Sequence, residues 1–275
     1  DEAHNLGRGQ YLDTTGKYKK VNEIMHDHLD KLIEMSAKYG FSPMMWSDMF
    51  FRPQGGGYYY SEGLLPDELV KSKPDGITPI YWDYYCDEKT VDNMMRCHEQ
   101  FKCDYAFAGG AWKWIGYAPD NTYSLHISDG HLRMCKKHGV KTVFTTGWGD
   151  KGGEAGQLSV LPALLQYAEY CYCDTVSKAE LSQRFEELFD ISLDAFLSLD
   201  LPNKASYVSL DVPTITSQCK YLLFNDPLIG LMDKHLCPDD GETYAKHAQT
   251  LLTYAQHPRY GYLFRTLGNL CHVLA

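Results

Sequence analysis

The chain has 275 residues, 44% hydrophobic and 23% charged, with a net charge of −10 and a pI near 5.5. This describes a globular protein of one large domain, or of a large and a smaller one. There is no basic run to read nucleic acid and no apolar stretch long enough to span a bilayer, so both partners are excluded from the expectation.

Asp1-Glu2 opens the chain, followed by Ala-His-Asn-Leu-Gly-Arg-Gly. Adjacent carboxylates repel, so in a partly buried site one holds its proton near neutral pH. A protonated acid beside an ionised one is what glycosidic bond cleavage needs. On an open surface the same pair is two solvated acids. Residues 19–39 place Val21, Ile24, Met25, Leu29, Leu32, Ile33 and Met35 at helical spacing, with Gly40 as the stop. A strand ending at Trp46 follows, then a loop with Gly55-Gly-Gly57 and Tyr58-Tyr-Tyr60, and a short helix opened by Pro66-Asp67-Glu68. A second strand ends at Trp82. Residues 87–101 form a helix with Val91, Met94, Met95 and Phe101 inward, 104–108 a strand, 121–138 a helix stopped by Gly139, 141–146 a strand and 158–172 an apolar helix.

Strand, long loop, helix and glycine stop recur roughly every 27 to 37 residues, the period of βα units. Long Gly-rich loops after strands and short ones after helices are the asymmetry of a (β/α)8 barrel. Beyond about Ser177 the alternation ends. Leu181, Phe185, Leu188, Phe189 and Leu193 make an amphipathic helix, and 218–236 and 241–255 read as further helices between Pro213, Pro227, Pro238 and Pro258. The expected fold is α/β: the second half of a (β/α)8 TIM barrel over 1–176, then an all-helical C-terminal region over 177–275. The first half is expected upstream of Asp1. Both ends read as cuts in a longer protein.

All five tryptophans fall at strand ends: Trp46, Trp82, Trp112 with Trp114, and Trp148. Indoles on the catalytic face of a barrel suit the apolar side of a sugar ring, and they also serve to plug a barrel mouth. Acids accompany them: Asp48, Asp83, Asp150 and Glu154. Carboxylates bind paired sugar hydroxyls well; Asp48 suits a helix cap equally. Tyr84 or Tyr85 can donate to a substrate carbonyl. His4, His126 and His131 form no metal motif, and His26 and His28 lie on different helix faces, so no metal is expected. Gly-x-Gly-x-x-Gly and Gly-x-Ser-x-Gly are absent, so neither a dinucleotide cofactor nor a nucleophile elbow is expected. Nine irregularly spaced cysteines without Cys-x-x-Cys read as reduced thiols of a cytoplasmic protein, with Cys97, Cys135 and Cys271 in the core.

Asp1-Glu2-Ala-His-Asn, Met45-Trp46-Ser47-Asp48, Tyr81-Trp82-Asp83-Tyr84-Tyr85, Gly109-Gly110-Ala111-Trp112-Lys113-Trp114 and Thr146-Gly147-Trp148-Gly149-Asp150 together resemble glycoside hydrolase family 20, in its intracellular bacterial β-N-acetylhexosaminidase branch. The resemblance implies Glu2 as general acid/base and Asp1 as the group that orients the substrate's 2-acetamido. The acetamido oxygen then attacks the anomeric carbon in place of an enzyme nucleophile. It implies Trp46, Trp82, Trp112 and Trp148 as aromatic walls, with Asp83 beside Trp82; Trp112 and Trp114 stand on the strand where many members carry the tyrosine that binds the acetamido oxygen, which leaves Tyr84 or Tyr85 for that role. Trp148-Gly149-Asp150 stands where the family has Trp-Gly-Glu, leaving Asp150 or Glu154 for the outer hydroxyls. The implied activity is exo-acting removal of terminal β-linked N-acetylhexosamine from a small carbohydrate, without a cofactor. The alternatives are a truncated, catalytically incomplete carbohydrate-binding barrel fragment and a metal-dependent barrel hydrolase, the latter disfavoured by the missing ligand motifs.

Overall fold

A computed structural model describes residues 6–52, 59–208 and 218–275. The described residues form a mixed α/β structure divided into two compact units, one of residues 1–109 with 134–144, the other of 110–133 with 145–275. The Trp-ended runs become strands: β1 (Met44–Trp46), β2 (Thr78–Trp82), β3 (Ala106–Gly110) and β4 (Thr142–Thr146), side by side in chain order. β1 and β2, and β2 and β3, pair in parallel, with Trp46 opposite Ile80 and Trp82 opposite Ala108. β2 and β3 are short apolar runs buried nearly throughout, as parallel strands covered on both faces require.

Pro79 brings no N–H to the middle of β2. Thr78 N donates to Pro43 O (3.1 Å) and Ser47 N to Ile80 O (2.9 Å), so residues 78 and 80 face β1 and Pro79 faces the other way. There β3 begins only opposite Ile80, so the ladder loses nothing.

α1 (Gln10–Thr15) and α2 (Val21–Lys38) precede β1. α3 (Asp48–Phe51) and α4 (Asp67–Ser72) join β1 to β2, α5 (Glu88–Glu99) joins β2 to β3, and α6 (Asn121–Lys137) joins β3 to β4. α5 starts under Asp87, which accepts from Thr90 N at 2.9 Å, and places Val91, Met94, Met95 and Cys97 in one core with Tyr81 and Phe107. Gly40 ends the α2 segment at φ +74°, as its position predicts. The α2 stripe is less covered than its periodicity predicts. Leu29 alone is fully buried, while Leu32 and Met35 are 39% and 55% exposed. β1 is a three-residue edge strand with Met44 itself exposed.

α7 (Leu161–Tyr170), α8 (Lys178–Phe189), α9 (Leu193–Leu197), α10 (Gln218–Leu223), α11 (Asp240–Leu252) and α12 (Gly261–Leu274) follow β4. α8 opens with a capping box: Ser177 Oγ accepts from Glu180 N while Glu180 accepts from Ser177 N. Phe185, Phe196, Leu199, Tyr244, Leu251 and Phe264 form the core of this region; Leu188, expected in the stripe, is exposed. A Cβ on Gly268 would meet Leu252 Cγ at 2.8 Å, so α11 and α12 close together only because that side chain is missing.

The helix expected over 218–236 is cut to α10. Asp226 Oδ1 accepts from Leu228 N (2.8 Å) and Ile229 N (3.0 Å), and Asn225 Oδ1 from Met232 N (2.9 Å). These side chains offer the backbone bonds that compete with a helix, and Pro227 removes a further donor. All nine cysteines are free, with Cys97, Cys135 and Cys271 buried on helices. Among the described residues no helix is long and apolar enough to cross a membrane.

A 3-10 turn at Ser198–Asn203 caps α6 from far along the chain. Asp200 accepts from Asn121 N (2.8 Å), Thr122 N (2.7 Å) and Thr122 Oγ1 (2.8 Å), a carboxylate at a helix N-terminus. Asn203 Nδ2 donates to Pro119 O at 3.0 Å. Burial pushes the Asp200 carboxyl up to about 6, against these donors and Lys204. Its folded state thus holds a proton that the unfolded chain has released, and this contribution is lost as pH rises from about 4 through about 6. Asp200→Ala leaves one buried and two partly buried donors without an acceptor and should cost about 2–3 kcal/mol in denaturant unfolding at pH 7, with Asp200→Asn between it and wild type. Equal stability of all three proteins would remove Asp200 from this role.

Candidate functional site

In the first unit, the acid beside Trp46 serves the neighbouring strand. Asp48 Oδ1 accepts from Trp82 Nε1 at 3.0 Å, and Oδ2 lies 3.3 Å from Arg52 Nε. Trp82 also stacks with Tyr59 (centroids 4.9 Å apart) and Tyr84 (5.2 Å). Trp46 meets Phe144 edge-on at 6.2 Å. Asp83 is fully buried. Its Oδ2 accepts from Tyr81 OH (2.7 Å) and its Oδ1 from Tyr85 N and Cys86 N (both 2.9 Å). Those contacts give Asp83 the task of shaping the turn that presents Tyr84 and Tyr85. Of the two, Tyr84 is buried and Tyr85 is half exposed.

A polar chain that the sequence did not reveal runs beneath these rings. His98, fully buried on α5, contacts Met94 O through Nδ1 (2.6 Å) and Ser47 Oγ through Nε2 (2.8 Å). Ser47 Oγ lies 2.9 Å from Tyr59 OH, which accepts from Trp82 N at 3.3 Å. A carbonyl only accepts, so Nδ1 carries the proton and Nε2 is the acceptor. Ser47 must then donate to His98, and Tyr59 to Ser47. The chain fixes Ser47, after Trp46, and Trp82 from one neutral histidine.

In the second unit, Trp112 and Trp114 stack at 4.2 Å, Tyr123 meets Trp112 edge-on at 5.1 Å, and both indoles are buried. Trp148 is more open, 37% exposed. Lys113 is buried between them in sequence and donates from Nζ to Trp148 O at 3.3 Å; a Cβ on Gly147 would touch its stem at 3.5 Å. A buried ammonium is costly unless it is hydrogen-bonded, so a lysine here ties the ends of β3 and β4 at real expense. Asp150 is exposed and opens a 3-10 turn, Asp150–Gly152. Glu154 pairs with Lys220 Nζ at 2.5 Å, and that hydrogen bond holds its carboxyl below the usual range. Lys220 belongs to α10 and lies 5.5 Å over the Tyr117 ring, whose other neighbour is Phe224 at 6.4 Å. The helical region thus reaches the loops after β3 and β4, which no local sequence signal announced.

The structure therefore assembles Asp48, Trp82, Asp83 and Tyr84 in one unit, and Trp112, Lys113, Trp114 and Trp148, with Glu154 on Lys220, in the other. Asp1 and Glu2 lie outside the described residues, as do His4, Gly55 to Gly57 and Tyr58. Among the described residues no group of three or more His, Cys, Asp or Glu side chains is placed to hold a metal ion.

Residues 194–275 match the family model described as the Glycoside Hydrolase 20C C-terminal domain. No curated protein matches the chain. The match runs from within α9 to the end of α12.

Burial pushes the His98 pKa down to about 4. Because the folded value lies below the unfolded one of about 6.5, the contribution is complete above pH 6.5 and is lost as pH falls toward 4, the opposite sign to Asp200. Protonation also removes the acceptor that Ser47 uses. The stability difference between wild type and His98→Gln should shrink by on the order of 2–3 kcal/mol between pH 7 and pH 4.5. Asp200 titrates in both proteins and cancels. A difference that stays constant would show that His98 does not titrate there.

Proposed function

We propose that the chain is the C-terminal part of an exo-acting glycoside hydrolase that removes terminal β-linked N-acetylhexosamine by substrate-assisted, retaining catalysis in the cytoplasm. The observation that carries this reading is the match of residues 194–275 to the 20C C-terminal domain, in the same chain as the Asp1-Glu2 pair and the tryptophan-ended strands. Residues 1–176 are read as the second half of a (β/α)8 barrel and 177–275 as its helical companion. The chain-order parallel strands and the short, partly exposed edge strand β1 support further strands continuing from that edge.

In this mechanism Glu2 gives its proton to the glycosidic oxygen as the bond to the anomeric carbon breaks. The acetamido carbonyl oxygen forms a bond to that carbon from the opposite face, giving a cyclic oxazolinium. Asp1 accepts the acetamido N–H, orients the group and offsets its growing positive charge. Glu2, now a carboxylate, takes a proton from water as the water opens the ring, and the configuration is retained. Trp46, Trp82 and Trp148, which are not fully buried, supply ring-face contact, while Asp48 and Lys113 hold Trp82 and Trp148 in place. Asp150 or Glu154 serves the outer hydroxyls, with Lys220 paired to Glu154. Tyr85 is the better placed of the two tyrosines to reach the acetamido oxygen.

The test uses the full-length protein with a chromogenic aryl N-acetylglucosaminide and an unactivated disaccharide. Wild type should turn over both, with or without a chelator. Glu2→Gln should lose about 10²–10⁴-fold on the disaccharide and far less on the aryl glycoside, which needs little protonation. Asp1→Asn should slow both alike. Binding without turnover would favour a non-catalytic carbohydrate-binding role, and Glu2→Gln as active as wild type on both substrates would remove Glu2 from the reaction.

A further inference from the structure

The stretch 221–236 presents large apolar side chains to solvent. Leu228 is 95% exposed, Phe224, Leu231 and Ile229 between 67% and 70%, and Tyr221 and Leu236 about half. Together these six residues leave on the order of 800 Å² exposed, most of it apolar, the area that each partner brings to a standard interface.

The loop is built to hold them there. Asp226 Oδ1 closes the turn on Leu228 N and Ile229 N, and Gly230 N returns to Asp226 O at 2.7 Å. Gly230 takes φ +61°, and a Cβ there would strike Asp233 Oδ2 at 2.3 Å. Asn225 bonds both Asp233 Oδ1 (2.8 Å) and Met232 N (2.9 Å). The polar groups of the loop are thus turned on one another, and its tip offers Leu228 and Ile229 to solvent. A pre-ordered apolar tip has little entropy left to lose on binding. Beside it is a 180 Å³ hollow whose apolar lining is Ile115, Tyr221, Phe224, Leu231 and Met232.

A tip and a hollow on one short stretch are the shape and countershape that a two-fold contact needs, since each copy must offer both. Asp226, Asp233 and Asp239 against Lys234 make the stretch acidic, which disfavours an anionic membrane surface. Aliphatic tips also lack the flat ring face that a sugar would use. We propose that this face pairs two copies of the chain about a two-fold axis, with Leu228 and Ile229 of each copy seated in the hollow of the other.

The experiment is sedimentation of the full-length protein from nanomolar to micromolar concentration, with thermal melts as the folding control. Wild type should be a dimer. Leu228→Asp with Ile229→Asp removes the tip, and Phe224→Asp with Leu231→Asp removes the hollow. Each pair should raise the dissociation constant at least about 100-fold without moving the melt. Mixing the two variants should restore association in part, because one intact tip then meets one intact hollow. A monomeric wild type would overturn the proposal, as would a dimer that survives both pairs of substitutions. Flotation of a monomeric wild type with phosphatidylcholine vesicles would assign the face to a membrane instead.

Discussion

One carboxylate holds the loop that carries the paired indoles. The segment between β3 and α6 contains Trp112, Lys113 and Trp114, and it is tied at its far end to Asp200, 79 residues from Asn121. Within the loop, Trp112 N donates to Ser124 Oγ (2.9 Å), Ser124 Oγ to Asp120 O (2.7 Å), and Asp120 N back to Trp112 O (2.9 Å). Asn121 Nδ2 adds a bond to Ser159 O at 2.9 Å. Every one of these groups is buried and needs a partner, because an unmade bond in such a place costs the whole desolvation of the group. The helical region is therefore part of the structure that sets the strand-end loop, and the domain match over 194–275 begins just before the residue that does the tying.

The first unit solves the same problem from inside. His98, Ser47, Tyr59 and Trp82 make a directional chain whose sense follows from the Met94 carbonyl at one end. Asp48 adds a second restraint on the Trp82 indole. Several of the strand-end aromatics are thus held by hydrogen bonds as well as by packing, which suits rings that must keep one orientation. Some of them are also well covered: Trp112 and Trp114 stack on each other, and Trp82 lies against two tyrosines. Trp112 and Trp114 are buried against each other, and Trp148 is more open.

Features with a local cause were legible in the sequence. The Trp-ended apolar runs gave the four strands and their order. The helix start at residue 87 and the Gly40 stop fell within a residue or two of the helix ends. What escaped had a distant or competing cause. Asp200 and Lys220 act on partners far away in sequence, and nothing beside them signals it. His98 reads as an ordinary polar position on an amphipathic helix. Lys113, between two tryptophans, gave no sign that it would be buried. The stretch 218–236 has helical composition, yet Asn225 and Asp226 spend their side chains on a turn. The Asp1-Glu2 pair, on which the proposed chemistry rests, lies outside the described residues.

The measurement that reaches the central claim most directly is inhibition of the full-length protein by a thiazoline analogue of cyclised N-acetylglucosamine. It mimics the ring that forms when the acetamido group attacks. If that group is the nucleophile, the thiazoline should bind at least about 100-fold more tightly than N-acetylglucosamine, as intermediates of this kind do, and Asp1→Asn should abolish most of the difference. A thiazoline that binds no better than the free sugar would contradict substrate-assisted catalysis in this protein.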